Sequence, residues 1–326
     1  MREITYRDAI REAIREEMQR DETVFMVGED IAKYGGGFGV SRDLLGEFGE
    51  KRIRSTPIAE LGTTGLGVGA AIMGLRPIVE IMYVDFSLLA LDQIANQAGM
   101  MRYRFGGQVK VPLVIRATQG AGRGTGAHHS QSLEALFYGF PGIKIALPSN
   151  PRDAKGLLKT AIRDDNPVVF LESKQQYNEK GFVPEEEYLI PFGKANVVRE
   201  GEDITIIAIS SMVKEAIKAA QELEKRNVSA EIIDIRTLYP LDIDLLEASL
   251  IKTGRLIVIS ESIKTGGAAA DIVAKLMETK AFYRLDAPPL HIGAKLSPFP
   301  LNRNLEKALL PSSESILEAV KGRFGL

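Results

Sequence analysis

An α/β fold is predicted for this chain, a parallel sheet flanked by helices followed by a second, smaller α/β domain. Three observations predict it. Short β-rich apolar runs occur at 76–83, 111–116, 143–147 and 167–171. Helical periodicity fills 87–103 and 151–163 between them, the alternation expected of parallel strands joined by crossover helices. The rhythm then lapses after Gln175 and restarts at Ile204.

Taken in order, Tyr6, Ala9, Ile10, Ala13, Ile14 and Met18 recur at helical spacing, and Thr5 with Asp8 fits a capping box, so the chain opens with an amphipathic helix. Val24 to Val27 reads as a strand. It runs through Gly28-Glu29-Asp30 into the glycine-rich Gly35-Gly36-Gly37-Phe38-Gly39, and in parallel sheets the C-terminal strand edge is where ligands gather. Domain boundaries are expected at 1–178, with a linker at 179–202 and a second domain at 203–326. The linker expectation rests on the polar run around Pro184-Glu185-Glu186-Glu187, since charge and proline disfavour a packed element. Beyond it, Ile204–Ile209, Ala230–Ile235, Leu256–Ser260 and Leu290–Ile292 read as strands, and Met212, Val213, Ala216, Ile217, Ala220 and Leu223 line one helix face. No internal sequence repeat is visible.

Composition narrows the chemistry. With 326 residues, 45% of them hydrophobic, the chain can bury two cores. Lys and Arg total 41 against 43 Asp and Glu, a net charge of −2. No broad field would draw nucleic acid or an anionic membrane. The absence of Cys excludes disulfides, thiolate metal sites and a cysteine nucleophile. The opening MREITYRDAI leads straight into a charged helix, and no stretch approaches the roughly 18 apolar residues that span a bilayer. A cytoplasmic location is expected.

Two local strings carry candidate chemistry. Thr56-Pro57-Ile58-Ala59-Glu60 places a carboxylate just before the small-residue run Gly62 to Ala71. Read alone, Glu60 fits a surface or capping acid better than a functional one, because isolated Glu residues usually are such acids. Gly65-x-Gly67-x-x-Ala70 fits a dinucleotide fingerprint, but it follows a polar, proline-ended segment instead of a buried strand, so helix–helix packing explains the glycines better. The second string, Gly120 to Ser132, puts His128 and His129 at the end of a glycine loop after a buried strand. An imidazole there can exchange protons with a carbonyl substrate; the alternative is a helix cap at Ser130 with solvent-facing histidines. No Gly-x-Ser-x-Gly elbow, His-Glu-x-x-His helix or P-loop is present. Arg116 and Arg123 could bind a substrate carboxylate, but isolated arginines more often make structural ion pairs, so neither is assigned.

Further strings join these: Gly28-Glu29-Asp30, Asp85-Phe86 with Asp92-Gln93, Val111-Pro112-Leu113, His129-Ser130-Gln131-Ser132, Pro141-Gly142, Asp153 to Leu157 and Ala161 to Pro167. In this order and spacing, over nearly the whole chain, they resemble the beta subunits of pyruvate, branched-chain 2-oxoacid and acetoin dehydrogenases. The fold this resemblance implies is that of the transketolase superfamily, a thiamine-diphosphate pyrimidine-binding domain followed by a transketolase C-terminal domain. It implies that Glu60 bonds N1' of the cofactor's aminopyrimidine, favouring the imino tautomer whose nitrogen takes the proton from thiazolium C2. Such a role favours a buried carboxyl. Ile58 falls with Glu60 in the cofactor-binding string. Phe86 matches an aromatic packed on the pyrimidine, His129 an active-site histidine near the 2-oxoacid, and Glu29 an acid that communicates between paired sites. Leu113, Ala161, Ile162, Asp164 and Asn166 match the ligands of a structural K+, although such a loop could hold water instead.

The superfamily's Gly-Asp-Gly…Asn motif for Mg2+ and diphosphate is absent from the sequence. The resemblance therefore implies an alpha subunit that holds the diphosphate and Mg2+, in a heterotetramer of two alpha and two beta chains. It also implies a dihydrolipoyl acyltransferase core that accepts the acyl group, and a 2-oxoacid, pyruvate or branched-chain, as substrate. One departure stands out: His128-His129-Ser130-Gln131 replaces the Gln-His-Ser-Gln frequent in pyruvate-type relatives, while Gly106 to Pro112 and Gly120 to Gly124 resemble acetoin-type sequences. An acetoin dehydrogenase beta subunit is the alternative.

Overall fold

The computed structural model describes residues 1–325, in two compact units. The first comprises Met1–Gln119 and Leu136–Phe192; the second comprises Gly120–Ala135 and Gly193–Leu326. The two differ from the expected boundaries chiefly in that the glycine loop 120–135 clusters with the second.

In the first unit, β1 (Arg2–Thr5) leads into α1 (Tyr6–Arg20), whose cap is as the sequence predicts: the Thr5 hydroxyl accepts the Asp8 N–H at 3.1 Å. Then come β2 (Val24–Glu29), α2 (Leu44–Phe48), β3 (Ile53–Thr56), α3 (Glu60–Ile72), β4 (Arg76–Ile81), α4 (Met100–Arg104), β5 (Val114–Gln119), α5 (Glu134–Tyr138, spanning the division), β6 (Lys144–Ala146), α6 (Pro151–Arg163) and β7 (Val168–Ser173). The strands line up as β6-β7-β5-β4-β2-β3, every neighbouring pair parallel. One face of this sheet is closed by α1 and α6, which bury Ile10, Ile14, Met18, Leu157, Leu158 and Ile162 against Val24, Met26, Ile78, Val114 and Val168. Apolar strands covered in this way read as near-continuous hydrophobic runs, which is why the sequence reveals them.

Helix α3 packs differently. A Cβ on Gly67 would lie 2.6 Å from Val79 Cγ2 and 3.2 Å from Leu113 Cδ1, so this glycine brings the helix onto the sheet. The run serves both kinds of packing: the close neighbour of Gly67 is strand β4, Gly65 meets Gln93 at the start of the helical segment Gln93–Gly99, and Gly69 faces open space. The expected helix at 87–103 is present over 91–104 as one continuous helix, wound more widely at Gln93–Gly99 before it tightens into α4.

The expected linker also carries structure. β8 (Lys180–Val183) pairs antiparallel with β1, and β9 (Asn196–Arg199) pairs antiparallel with β11 (Ala230–Asp234). Edge strands need only backbone partners and tolerate charge, so their polar sequences hide them. The second unit continues with β10 (Ile204–Ala208), α7 (Met212–Glu224), β12 (Thr237–Tyr239), α8 (Ile243–Thr253), β13 (Leu256–Ile263), α9 (Ala268–Met277), β14 (Leu290–Ala294), α10 (Arg303–Lys307) and α11 (Ser313–Phe324). Its sheet runs β14-β13-β10-β11-β9. Helices α7 and α11 cover one face, with Ala216, Ala220, Leu223, Ile316 and Val320 on Ile204, Ile206 and Ile257. No helix among the described residues is long and apolar enough to cross a membrane.

Candidate active site

Strands β2 and β3 run in register, Glu29 opposite Thr56, so the C-terminal edge of the first sheet brings Glu29 beside the turn that starts α3. Glu60 is the first residue of that helix. Its side chain is only 7% exposed, yet among the described residues its carboxylate makes no hydrogen bond and no ion pair. It is therefore neither a surface acid nor a cap. An anion at this end of a 13-residue helix also faces the positive pole of the helix dipole. Burial, then the neighbouring negative charges of Glu60, Asp30 and Glu80, hold the Glu29 carboxyl above its ordinary range. Ile58, in the turn before α3, is 81% exposed.

Phe86 lies in a single helical turn after β4, half-buried. Its ring meets Tyr83 edge-on at 6.1 Å, and Tyr83 meets Phe38 at 5.6 Å. Phe38 in turn stacks on Tyr177 at 5.1 Å, a chain of aromatics that fixes the first ring's plane.

The expected cation loop gathers at the C-terminal end of α6. Leu113 O accepts the Val168 N–H at 2.9 Å, and Val111 N–H donates to Asp165 O at 3.1 Å, which ties the start of β5 to this turn. Arg76 Nη1 donates to the carbonyls of Ile162 and Asp164, each at 3.0 Å. The Asp164 carboxylate pairs with Lys144 and accepts Asn166 N–H and Nδ2–H at 2.9 Å. Ala161 O accepts the Asp164 N–H at 3.2 Å. The structure thus brings Leu113, Ala161, Ile162, Asp164 and Asn166 to one place, and places three protein cations on them: Arg76, Lys144 and Arg102, whose Nη1 donates to Asn166 Oδ1 at 2.9 Å.

His129 belongs to the second unit, half-buried, with His128 exposed beside it. Its N–H donates to Gly126 O at 3.3 Å, and its carbonyl accepts the Thr125 hydroxyl at 3.0 Å. His128, Gln131, Ser132, Glu261 and Phe299 line a cavity of about 430 Å3 in this unit. The Ser132 Oγ is buried without a hydrogen-bond partner among the described residues, a polar atom available to a ligand.

Compared with known proteins, the chain matches the transketolase pyrimidine binding domain over residues 2–180 and the transketolase C-terminal domain over 193–316. It is 47% identical over 321 residues to the pyruvate dehydrogenase E1 component subunit beta of Gracilaria tenuistipitata var. liui, covering 98% of this chain and 99% of the relative. The chain belongs to the beta-subunit family of the 2-oxoacid dehydrogenases. This beta-subunit family also takes in the acetoin:2,6-dichlorophenolindophenol oxidoreductase subunit beta of Bacillus subtilis (strain 168), 45% identical over 99% of this chain and 98% of the relative. A solved structure described as a split gene transketolase, inactive beta4 tetramer, superposes with a TM-score of 0.79 at 22% identity, covering 99% of both chains, and so bears out the transketolase-like fold.

One feature of this family member lies under the site and was not assigned from sequence. Arg116, 2% exposed on β5, donates to both Glu172 oxygens, at 2.7 and 2.8 Å, and to Glu80 at 2.6 Å. The Tyr177 hydroxyl adds a bond to Glu172 at 2.6 Å. The structural reading of Arg116 therefore holds. The signal was present: a charged residue inside the fully buried strands Val114–Gln119 and Val168–Ser173 has to be paired.

Proposed function

We propose that this chain is the cofactor-activating half of a cytoplasmic, thiamine-diphosphate-dependent 2-oxoacid dehydrogenase. In this reading it acts on pyruvate or a branched-chain 2-oxoacid and passes the acyl group to lipoamide. The observation that carries the reading is Glu60, a nearly buried carboxylate with no partner among the described residues. A carboxylate so largely enclosed, with no such partner in its own chain, is open to a donor from outside it. Thiamine diphosphate, when bound, supplies an acidic C2–H and an electron sink for decarboxylation. Glu60 accepts the hydrogen bond of the pyrimidine N1' and holds the proton there. Ile58 and Phe86 offer apolar surface that orients the ring without competing for its protons. Glu29, kept partly protonated at higher pH than an ordinary carboxyl, stands beside Glu60 as a proton reservoir. His129 exchanges a proton at the substrate carbonyl.

An alpha subunit, two per two beta chains, completes the site and holds the diphosphate and Mg2+; the missing diphosphate motif supports this. A dihydrolipoyl acyltransferase core receives the acyl group. K+ bound by Leu113, Ala161, Ile162, Asp164 and Asn166 belongs to the same proposal. A carbonyl that accepts one N–H keeps a second lone pair, and the negative end of α6 favours a cation. Acetoin cleavage is the second reading, favoured by the Bacillus subtilis relative at 45% identity; turnover of acetoin but of no 2-oxoacid would select it. The test of the main reading is Glu60→Gln in the two-chain complex, following C2 proton–deuteron exchange of the cofactor by NMR. Exchange and turnover should fall by about 10²- to 10⁴-fold with the cofactor still bound. Intact turnover would make this chain an assembly protein instead.

A further inference from the structure

Two buried carboxylates of the second unit serve no role above, and both hold the loop that carries His129. The loop alternates left-handed glycines: Gly120 at φ +95°, Gly122 at +97°, Gly124 at +68° and Gly126 at +79°. Such a segment has more conformational freedom to lose than any other composition, so a single conformation needs strong backbone acceptors. The Ala121 N–H donates to Glu261 Oε1 at 2.6 Å, and the Gly124 N–H donates to Glu306 Oε2 at 2.9 Å. Charged acceptors make these bonds roughly twice as strong as neutral ones. Glycine is what permits the approach, since a Cβ on Gly120 would lie 2.6 Å from Glu261 Oε1 and one on Gly124 2.8 Å from Leu301 O.

The anchors are themselves fixed. Glu261 is 6% exposed, and its other oxygen accepts the Ser211 hydroxyl at 2.6 Å. Glu306, on α10, is 1% exposed, and its Oε1 is buried with no hydrogen-bond partner among the described residues. Half-satisfied burial of a carboxylate is unfavourable for stability alone. What Glu306 does accomplish is visible at its bonded oxygen. Beyond the anchors the loop closes on itself: Gly120 N–H donates to Gln131 O at 2.9 Å, and the Ser130 hydroxyl lies 3.1 Å from Thr125 Oγ1, which donates to His129 O.

We infer that Glu261 and Glu306 are positioning residues that clamp the glycine loop and so present the His129 imidazole in one place. The inference rests on the catalytic reading of His129, so its test separates the two. In the full-length chain within the two-chain complex, Glu306→Leu and Glu306→Gln are compared by amide hydrogen exchange over 120–131, by kcat and KM for the 2-oxoacid, and by Tm. Leu should speed exchange in the loop by about tenfold or more and lower kcat by a similar factor, with KM little changed. Gln keeps an acceptor oxygen of the same shape, so its effects should be only a few-fold and its Tm that of the parent. Should the Leu variant not fold, the Gln variant carries the test through the same few-fold rise in loop exchange. Unchanged exchange over 120–131 in both variants, or a loss in Gln as large as in Leu, would overturn the clamp. His129→Ala is run in parallel: if it kept turnover while Glu306→Leu loosened the loop, the catalytic reading would fall and the clamp would stand.

Discussion

Replacing Arg116 by Met tests the electrostatics under the site. The substitution removes three charge-assisted hydrogen bonds, of 2.6, 2.7 and 2.8 Å, and leaves Glu80 and Glu172 without their cation, Glu172 keeping the Tyr177 hydroxyl. Breaking one buried pair costs about 3–5 kcal/mol, mostly as the penalty of the stranded charge. Two pairs share this cation, but their costs do not add. Burial, acting against the attraction of Arg116, already holds the Glu80 carboxyl above its ordinary range, so this acid can escape by taking a proton. The expected loss stays near 3–5 kcal/mol, a large part of the roughly 5–15 kcal/mol that stabilises a domain. Hydrogen exchange of the β4, β5 and β7 amides reads it directly. At about 1.4 kcal/mol per tenfold, protection should drop by roughly 10²- to 10⁴-fold. Replacing the whole cluster with apolar residues (Arg116→Met, Glu80→Leu, Glu172→Leu, Tyr177→Phe) should recover most of the loss. Protection within twofold of the parent in the single variant would refute the reasoning.

Other outcomes follow from the same structure. Because the folded-state pKa of Glu29 is raised, its contribution to stability is fully present below the unfolded carboxyl pKa and is lost as pH rises through the folded value. Glu29→Gln should therefore flatten the decline of Tm with rising pH just above the ordinary carboxylate range, and an unchanged slope would count against the burial and repulsion assigned to it. Exchanging KCl for choline chloride at equal ionic strength should lower Tm by a concentration-dependent amount if the α6 turn binds K+. A Tm indifferent to the cation would leave the protein's own cations, Arg76, Arg102 and Lys144, as the positive charge that serves the loop.

The central sheets were legible because strands buried on both faces carry continuous apolar runs, as in residues 168–171 of β7 and the stretch 111–115 that leads into β5. β8 and β9 were not, since Lys180–Val183 and Asn196–Arg199 contribute backbone hydrogen bonds and little apolar surface. Glu60 looked like any acid before a helix. Family resemblance singled it out, and its burial without a partner among the described residues is a tertiary fact that no local pattern encodes. Glu261 and Glu306 were illegible for a related reason: they hold Ala121 and Gly124 across 140 and 182 residues of chain. The glycine spacing signals that a loop needs holding; only the fold shows what holds it.

The most direct test of the central claim, a cofactor site split between two chains, is calorimetric titration of thiamine diphosphate with Mg2+ into this chain alone and into the chain co-expressed with its alpha partner. Tight binding to the pair and none to the lone chain is the predicted result. Tight binding to the lone chain would mean that it holds its own diphosphate anchor, and would contradict the division of the site proposed above.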